Sequence, residues 1–384
     1  MQKIKNYILG IDASSISSGG GALHLIRILE NKNTEFFSKI IIWGFQSFLE
    51  KIPDDSVLIK IPIPNICSNI LFRFLWQIYT FSSKKKLGID ILFVPGGLFL
   101  GSFKPFVTMF QNMQVFDIAE LNEEFFGLSW IRLRLLNIGQ SFTFKRSNGL
   151  ICLSDYSIQF LRLNYPSLIK NCKTSVIWHG IDSDLLSTVR HQKNYSKSTI
   201  VVKFLYVSTI KAYKHQWNVI KALSEISSVN LGVELHLIGG GDSSALSRMY
   251  TEIGKQTAKS TNFQVKYHGD LPHDDVKAIY AHCDCFVFAS SCETFGIALL
   301  EAMGSSIPII ASNSGPIPEI LRDAGLYFNP RKTMEIKAAA EAFVVELKNN
   351  KYNNPVAKNY SMKYSWDKCS LETFCFINYV LANS

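Results

Sequence analysis

Residues 283–312 read CDCFVFASSCETFGIALLEAMGSSIPIIAS. Within them, Cys285–Ala289 is an unbroken apolar run, too short for a stable helix, and it predicts a strand buried on both faces. A short loop, Ser290–Cys292, leads into a helix, and a second apolar run at Ile307–Ala311 predicts the next strand. Two buried strands joined through a helix form a parallel pair, because an antiparallel pair needs only a tight turn. A parallel sheet covered on both faces is an α/β fold.

The alternation continues outward. Strands are predicted at Lys203–Val207, Glu234–Ile238 and Gln264–Tyr267, with helices between them. A polar stretch without strong periodicity, Asp182–Thr199 (DSDLLSTVRHQKNYSKST), predicts a linker. Before it the pattern runs in full again. Strands are predicted near Asn6–Ile11, Lys39–Trp43, Asp90–Val94, Phe106–Met109, Gly149–Leu153 and Thr174–Ile177. Helices fill Ala22–Leu29, Cys67–Phe81, Trp130–Phe144 and Tyr156–Asn164. The result is two doubly wound, Rossmann-like domains, residues 1–182 and 200–362, facing a cleft where ligands favour the carboxyl ends of the strands. The tail from Met362 ends in an amphipathic helix.

Bulk properties agree. A chain of 384 residues is too long for one ordinary core. With 47% hydrophobic and 18% charged residues, disorder is excluded as a global state. The 27 Phe predict an exposed apolar surface somewhere. Eight Cys form no C-x-x-C pair, which removes zinc-ribbon spacing and suits reduced, buried thiols in a cytoplasmic protein. The opening MQKIKNYILGID lacks the long apolar core of a signal peptide and is read as a first strand.

The net charge of +9 is uneven. Residues 1–180 hold 19 Lys and Arg against 12 Asp and Glu, whereas residues 181–384 hold 21 against 19. A basic first half suits phospholipid or a lipid-phosphate substrate. The basic residues are scattered and match no nucleic-acid-binding signature, so no nucleic acid partner is expected. The apolar run Ile66–Phe81 (ICSNILFRFLWQIYTF) is too short to span a bilayer, contains Arg73 and Gln77, and precedes Lys84, Lys85 and Lys86. Two readings stand for it: a helix on an anionic membrane surface, or a core helix ending in solvated lysines.

Three constellations carry chemistry. In the first, Glu293 stands at the junction of strand and helix, and Phe295, Gly296 and Ile297 supply backbone amides at a helix start, which suits phosphate. Glu301 follows eight residues later, about two turns on, so both carboxylates can face one cleft. In the second, VKFLYVSTIKAYKHQW, a loop after the strand holds Lys211 and Lys214, point charges suited to a diphosphate. In the third, ILGIDASSISSGGGALHLI, Gly19, Gly20 and Gly21 precede a helix and permit close backbone approach. Neither this turn nor Gly239–Gly241 fits G-x-G-x-x-G, since His24 and Ser244 occupy the sixth positions, and no acid ends the second strand. That removes the nicotinamide-dehydrogenase fingerprint. Gln111, Asn112 and Asp117 follow a predicted strand end, and His179 stands near the domain junction; these are cleft and acceptor-side candidates. No D-x-D ends a strand except Asp182-Ser-Asp184 in the linker, so no metal-bridged phosphate is expected.

The stretch ETFGIALLEAMGSSIPIIASNSGPIPEIL is similar to the E-x7-E region of retaining glycosyltransferases of family four, which have the GT-B fold. LYVSTIKAYKH, the Gly239–Gly241 turn, YHGDLPHDDVKAIYAHCDCFVFAS, VIWHGID and the first glycine-rich turn fall in the same order. The likeness is dense from Lys203 to Pro330 and sparser before it.

The resemblance implies a metal-independent transferase without a bound cofactor, acting on a nucleotide sugar of UDP or GDP. Glu301 would take the ribose hydroxyls and Glu293 the sugar hydroxyls. Lys214 would neutralise the leaving diphosphate, and Glu293 and Lys214 would carry the catalysis. Gly20, Gly21, Thr209, Lys211, Gly240, Thr294, Phe295, Gly296 and Ile297 would complete the donor site. The last helix, about 363–384, would return to the first domain. The acceptor implied is a glycan or lipid-linked glycan of a surface polysaccharide such as O-antigen, capsule or lipopolysaccharide, at the cytoplasmic membrane face. Two departures stand out. Thr209 occupies the place of a usual Arg, and Phe110, Gln111 and Asn112 stand where a His is frequent. A sugar-nucleotide 2-epimerase of the same fold and a non-catalytic partner subunit are the alternatives.

Overall fold

Both sheets place the chain's central strands where the apolar runs predict them. The structure is a computed structural model, and it describes residues 7–16, 19–31, 36–82, 87–123, 128–188, 200–349 and 352–384. Asn6, Lys84, Lys85, Lys86 and residues 189–199 of the expected linker lie outside the described residues. The chain divides into two compact units, residues 1–180 with 364–384, and residues 181–363.

Unit 1 holds β1 (Ile8–Asp12), β2 (Lys39–Gly44), β3 (Leu58–Pro62), β4 (Ile91–Val94), β5 (Phe106–Phe110), β6 (Gly149–Cys152) and β7 (Lys173–Val176). They form one parallel sheet in the order β3-β2-β1-β4-β5-β6-β7. Unit 2 holds β8 (Ile200–Val207), β9 (Leu231–Ile238), β10 (Phe263–Tyr267), β11 (Cys285–Phe288), β12 (Ile309–Ser312) and β13 (Leu326–Phe328). Its order is β10-β9-β8-β11-β12-β13, again all parallel. In both units the order reverses beside the first strand, between β1 and β4 and between β8 and β11. Loops at the carboxyl ends splay apart there and leave room for a ligand.

The central strands β4, β5, β6, β11 and β12 are buried along their whole length, which is why they read as unbroken apolar runs. Two edge strands, β3 and β13, have no counterpart in the sequence reading. β3 is partly exposed and contains Lys60 and Pro62, as sheet edges often do. The Phe content goes mostly inward. Phe81 meets Trp43 at 5.3 Å and Phe99 at 5.6 Å between ring centres, and Phe116 stacks on Phe144 at 5.5 Å.

The helix Trp366–Ala382 packs on unit 1, against the helix Gly19–Glu30 and strands β4 and β6. Ser370 donates to the Ile28 carbonyl at 2.8 Å. Gly149 lets the helix approach, since a Cβ there would lie 2.8 Å from Val380. Within the expected linker, Ser183–Leu186 is a short helix, and Lys277 pairs with Asp182 and Asp184, each at 3.4 Å.

Candidate active site

Two loops meet at the reversal point of unit 2. One leaves β8, passes through a 3-10 turn at Ala212–Lys214 and enters the helix Gln216–Ser224. The other leaves β11 and enters the helix Ile297–Gly304. Their strands are neighbours, with Phe286 opposite Leu205. The loops are joined directly: Ser291 N–H donates to the Tyr213 carbonyl at 2.8 Å, and His215 Nε2 lies 2.9 Å from Ser291 Oγ. His215 adopts the left-handed region at φ 52, which turns the chain sharply into its helix. Tyr206 Oη donates to the Lys214 carbonyl at 2.5 Å, fixing the loop from below.

Lys214 Nζ forms an ion pair with Glu293 Oε1, and both side chains are largely buried. The ammonium also lies 5.2 Å from the Tyr213 ring and 5.4 Å from the Phe288 ring. Aromatic walls lower the local dielectric and strengthen any charge interaction made here. Glu293 precedes the helix rather than opening it. Gly296 caps the helix with φ 111, and a Cβ there would lie 3.3 Å from the Phe288 ring. Ile297 and Ala298 begin the helix, so their N–H groups have no intrahelical acceptor. Phe295 and Thr294 are buried.

Glu301 therefore sits only one turn into the helix, not two turns from a helical Glu293. It is buried, with Oε1 2.8 Å from His273 Nε2 and Oε2 accepting from Tyr280 Oη at 3.2 Å. The Glu301 hydrogen bond holds the His273 imidazole above its ordinary value, against the opposing effect of burial. Asp182 lies 3.6 Å from His273 Nδ1. Burial pushes the Tyr280 phenol well up, so it stays a donor.

Thr209 and Lys211 are exposed on the same β8 loop, and Gln216 Nε2 holds the Thr209 carbonyl at 2.9 Å. The loop is tied to the glycine turn after β9, where Ile210 N–H donates to the Gly240 carbonyl at 2.8 Å. Gly240 N–H is itself engaged by Asp270 Oδ1 at 2.5 Å. Any anion approaching that amide meets the Asp270 carboxylate first.

In unit 1, Gly19, Gly20 and Gly21 form the first residues of the helix Gly19–Glu30 itself, not a turn before it. A Cβ on Gly21 would lie 2.7 Å from Gln111 Oε1, so these two candidates are neighbours. Asn112 is half-buried, and Asp117 Oδ1 accepts from Ala119 N–H at 3.0 Å, capping Ile118–Glu123. His179 is turned inward. It is buried, with Nδ1 3.0 Å from His24 Nδ1 and its ring beside Trp366, so it is not an exposed candidate.

His273, Tyr280 and Asp270 are absent from the sequence reading. His273 and Tyr280 are seven apart on the helix His273–His282, on one face. That spacing is legible, but their meeting with Glu301 is a tertiary event with no local mark.

Residues 190–360 match the family Glycosyl transferases group 1. O-antigen chain mannosyltransferase B of Escherichia coli is 29% identical over 112 residues, 28% of this chain and 29% of that protein. The chain spans between 22% and 57% of the length of the first curated relatives it matches. Among solved structures, sucrose-phosphate synthase from Thermosynechococcus elongatus has a TM-score of 0.76 at 14% identity, covering 98% of this chain and 100% of that one. Anabaena HepE in complex with UDP and glucose has a TM-score of 0.67 at 17% identity, covering 96% and 98%. At such identities the likeness is one of fold, and that fold is GT-B. The match to Glycosyl transferases group 1 falls on the part of the sequence that forms unit 2.

Proposed function

We propose that this chain is a retaining, metal-independent hexosyltransferase. It moves a sugar from a nucleoside diphosphate sugar to a glycan or lipid-linked acceptor in the assembly of a cell-surface polysaccharide. The observation that carries the proposal is the largely buried Lys214–Glu293 pair at the reversal point of a parallel sheet, beside a helix start. The names of the Escherichia coli relative and of the HepE complex support the acceptor class and the donor class in turn.

The donor, a UDP or GDP sugar, lies over this pair. Lys214 and the amides of Phe295, Gly296 and Ile297 stabilise charge as it develops on the departing diphosphate. Glu293 accepts from hydroxyls of the transferred sugar, and Glu301 from the ribose. Thr209, Lys211 and Thr294 border the phosphates. In unit 1, Gly20 and Gly21 serve the donor, and Gln111, Asn112 and Asp117 serve the acceptor. The bond from the anomeric carbon to the diphosphate breaks as the acceptor oxygen bonds that carbon on the same face. The acceptor's proton passes to the departing phosphate oxygen. No protein nucleophile and no cofactor takes part. With a lipid-linked acceptor, the protein works peripherally at the cytoplasmic face of a membrane.

Thermal-shift measurements with UDP, GDP and their sugars test the donor site. A ligand bound to the native state raises its melting temperature. A shift with one nucleotide family, lost in Glu301→Ala, supports the proposal. A folded sample that no nucleotide stabilises refutes it.

A further inference from the structure

Among the described residues of unit 1, two helices leave an apolar stripe exposed. In Ile70–Thr80 only Gln77 is buried. Its Nε2 donates to Asp12 Oδ2 at 2.7 Å and to the Leu98 carbonyl at 3.3 Å, while Leu100 N–H donates to its Oε1 at 3.3 Å. The outer face presents Leu71, Leu75, Ile78 and Tyr79, each between 48% and 70% exposed. In the helix Leu128–Arg146, Gln140 and Thr143 are buried together with Leu133 and Phe144. Its Ile131, Leu135, Ile138 and Phe142 form one stripe at helical spacing, between 47% and 66% exposed.

The two stripes belong to one surface. The helices are the β3-to-β4 and β5-to-β6 crossovers, and right-handed connections running the same way across a sheet lie on the same face. Both grip one segment: Gln77 holds Leu98 and Leu100, Thr143 Oγ1 accepts from Phe99 N–H at 2.9 Å, and Arg146 donates to the Gly101 carbonyl at 2.7 Å. The charges on these helices are of one sign. They hold Arg73, Arg132, Arg134, Lys145 and Arg146 and no acidic residue.

We propose that this face docks on an anionic lipid bilayer, with the two stripes entering the boundary between headgroups and acyl chains and the basic side chains meeting lipid phosphates. The proposal rests on the membrane placement given above and assigns the surface that makes it. An apolar stripe whose own helices carry cations and no acid matches an anionic interface. A second copy of the chain is a poorer occupant, since a two-fold contact would bring the like charges of these helices together.

Co-sedimentation of the full chain tests it, using vesicles of phosphatidylcholine alone and phosphatidylcholine mixed with an equal part of phosphatidylglycerol. Binding to the mixed vesicles is expected to exceed binding to the neutral ones by about tenfold or more. Leu135→Ser with Ile138→Ser is expected to lower it by about tenfold or more. These side chains are exposed, so the fold tolerates the change, and an unaltered circular dichroism melt confirms it. Equal binding to both vesicles, no binding to either, or binding that the serine pair leaves unchanged overturns the proposal. A dimer in solution that the serine pair dissociates also overturns it. The nucleotide thermal shift of the serine pair is read in parallel. A shift retained without vesicle binding, or vesicle binding without any shift, tells failure of this surface from failure of the donor site.

Discussion

At the residue scale, the Lys214–Glu293 pair makes a stability prediction apart from catalysis. Lys214→Met leaves a largely buried carboxylate without its cation, and unit 2 is expected to lose about 1–3 kcal/mol in urea unfolding. Lys214→Met combined with Glu293→Gln is expected to recover part of that loss, the mark of direct coupling. The histidines predict a pH dependence of two signs. Burial holds His24 down to about 3, against an ordinary 6.5. The unfolded chain therefore takes up its proton first, and stability falls as pH drops below about 6.5, by at most about 1.4 kcal/mol per pH unit for this group. Urea midpoints at descending pH should show that slope, reduced in His24→Gln. His273 runs the other way. Glu301 raises it, so its contribution is full below about 6.5 and fades as pH climbs through the raised value; Glu301→Gln should abolish the fade. Glu293, Lys214 and Glu301 were legible because each stands at a fixed offset from a strand end. His273 and Tyr280 were not, because nothing near them in the chain marks Glu301 as their partner.

At the element scale, the strands buried on both faces were plain in the sequence, since burial on both sides leaves no room for polar residues. β3 and β13 lack that signature because an exposed edge dilutes it. Helix orientation is written less plainly in the chain. The run Ile66–Phe81 is strongly apolar on one side, yet periodicity gives the size of that asymmetry and not its direction. The direction is set by Gln77, whose amide answers Asp12, Leu98 and Leu100. Gln77→Leu is therefore expected to destabilise unit 1 by about 2 kcal/mol although it adds apolar surface, because it strands two buried polar groups and the half-buried Leu100 amide. A lowered thermal midpoint checks it, and an unchanged one refutes the anchoring role.

At the scale of the whole molecule, the chain visits unit 1 twice and unit 2 once. Truncation after Lys363 removes Trp366, Phe374, Ile377 and Val380, all buried, and bares the helix Gly19–Glu30 with β4 and β6. Calorimetry of the truncated chain is expected to show one cooperative transition, from unit 2, in place of two. Loss of both would show that unit 2 depends on unit 1.

That return of the chain also orders events on the ribosome. Unit 2 is continuous in sequence, so it can fold as soon as it clears the exit tunnel. Unit 1 has its full sheet once Val176 has emerged, but its covering helix begins only at Trp366. At elongation rates of about 5–20 residues per second, the nascent sheet waits about ten to forty seconds with an apolar face uncovered. The later-made half of this protein finishes first, and the earlier half is the natural client for a chaperone during translation.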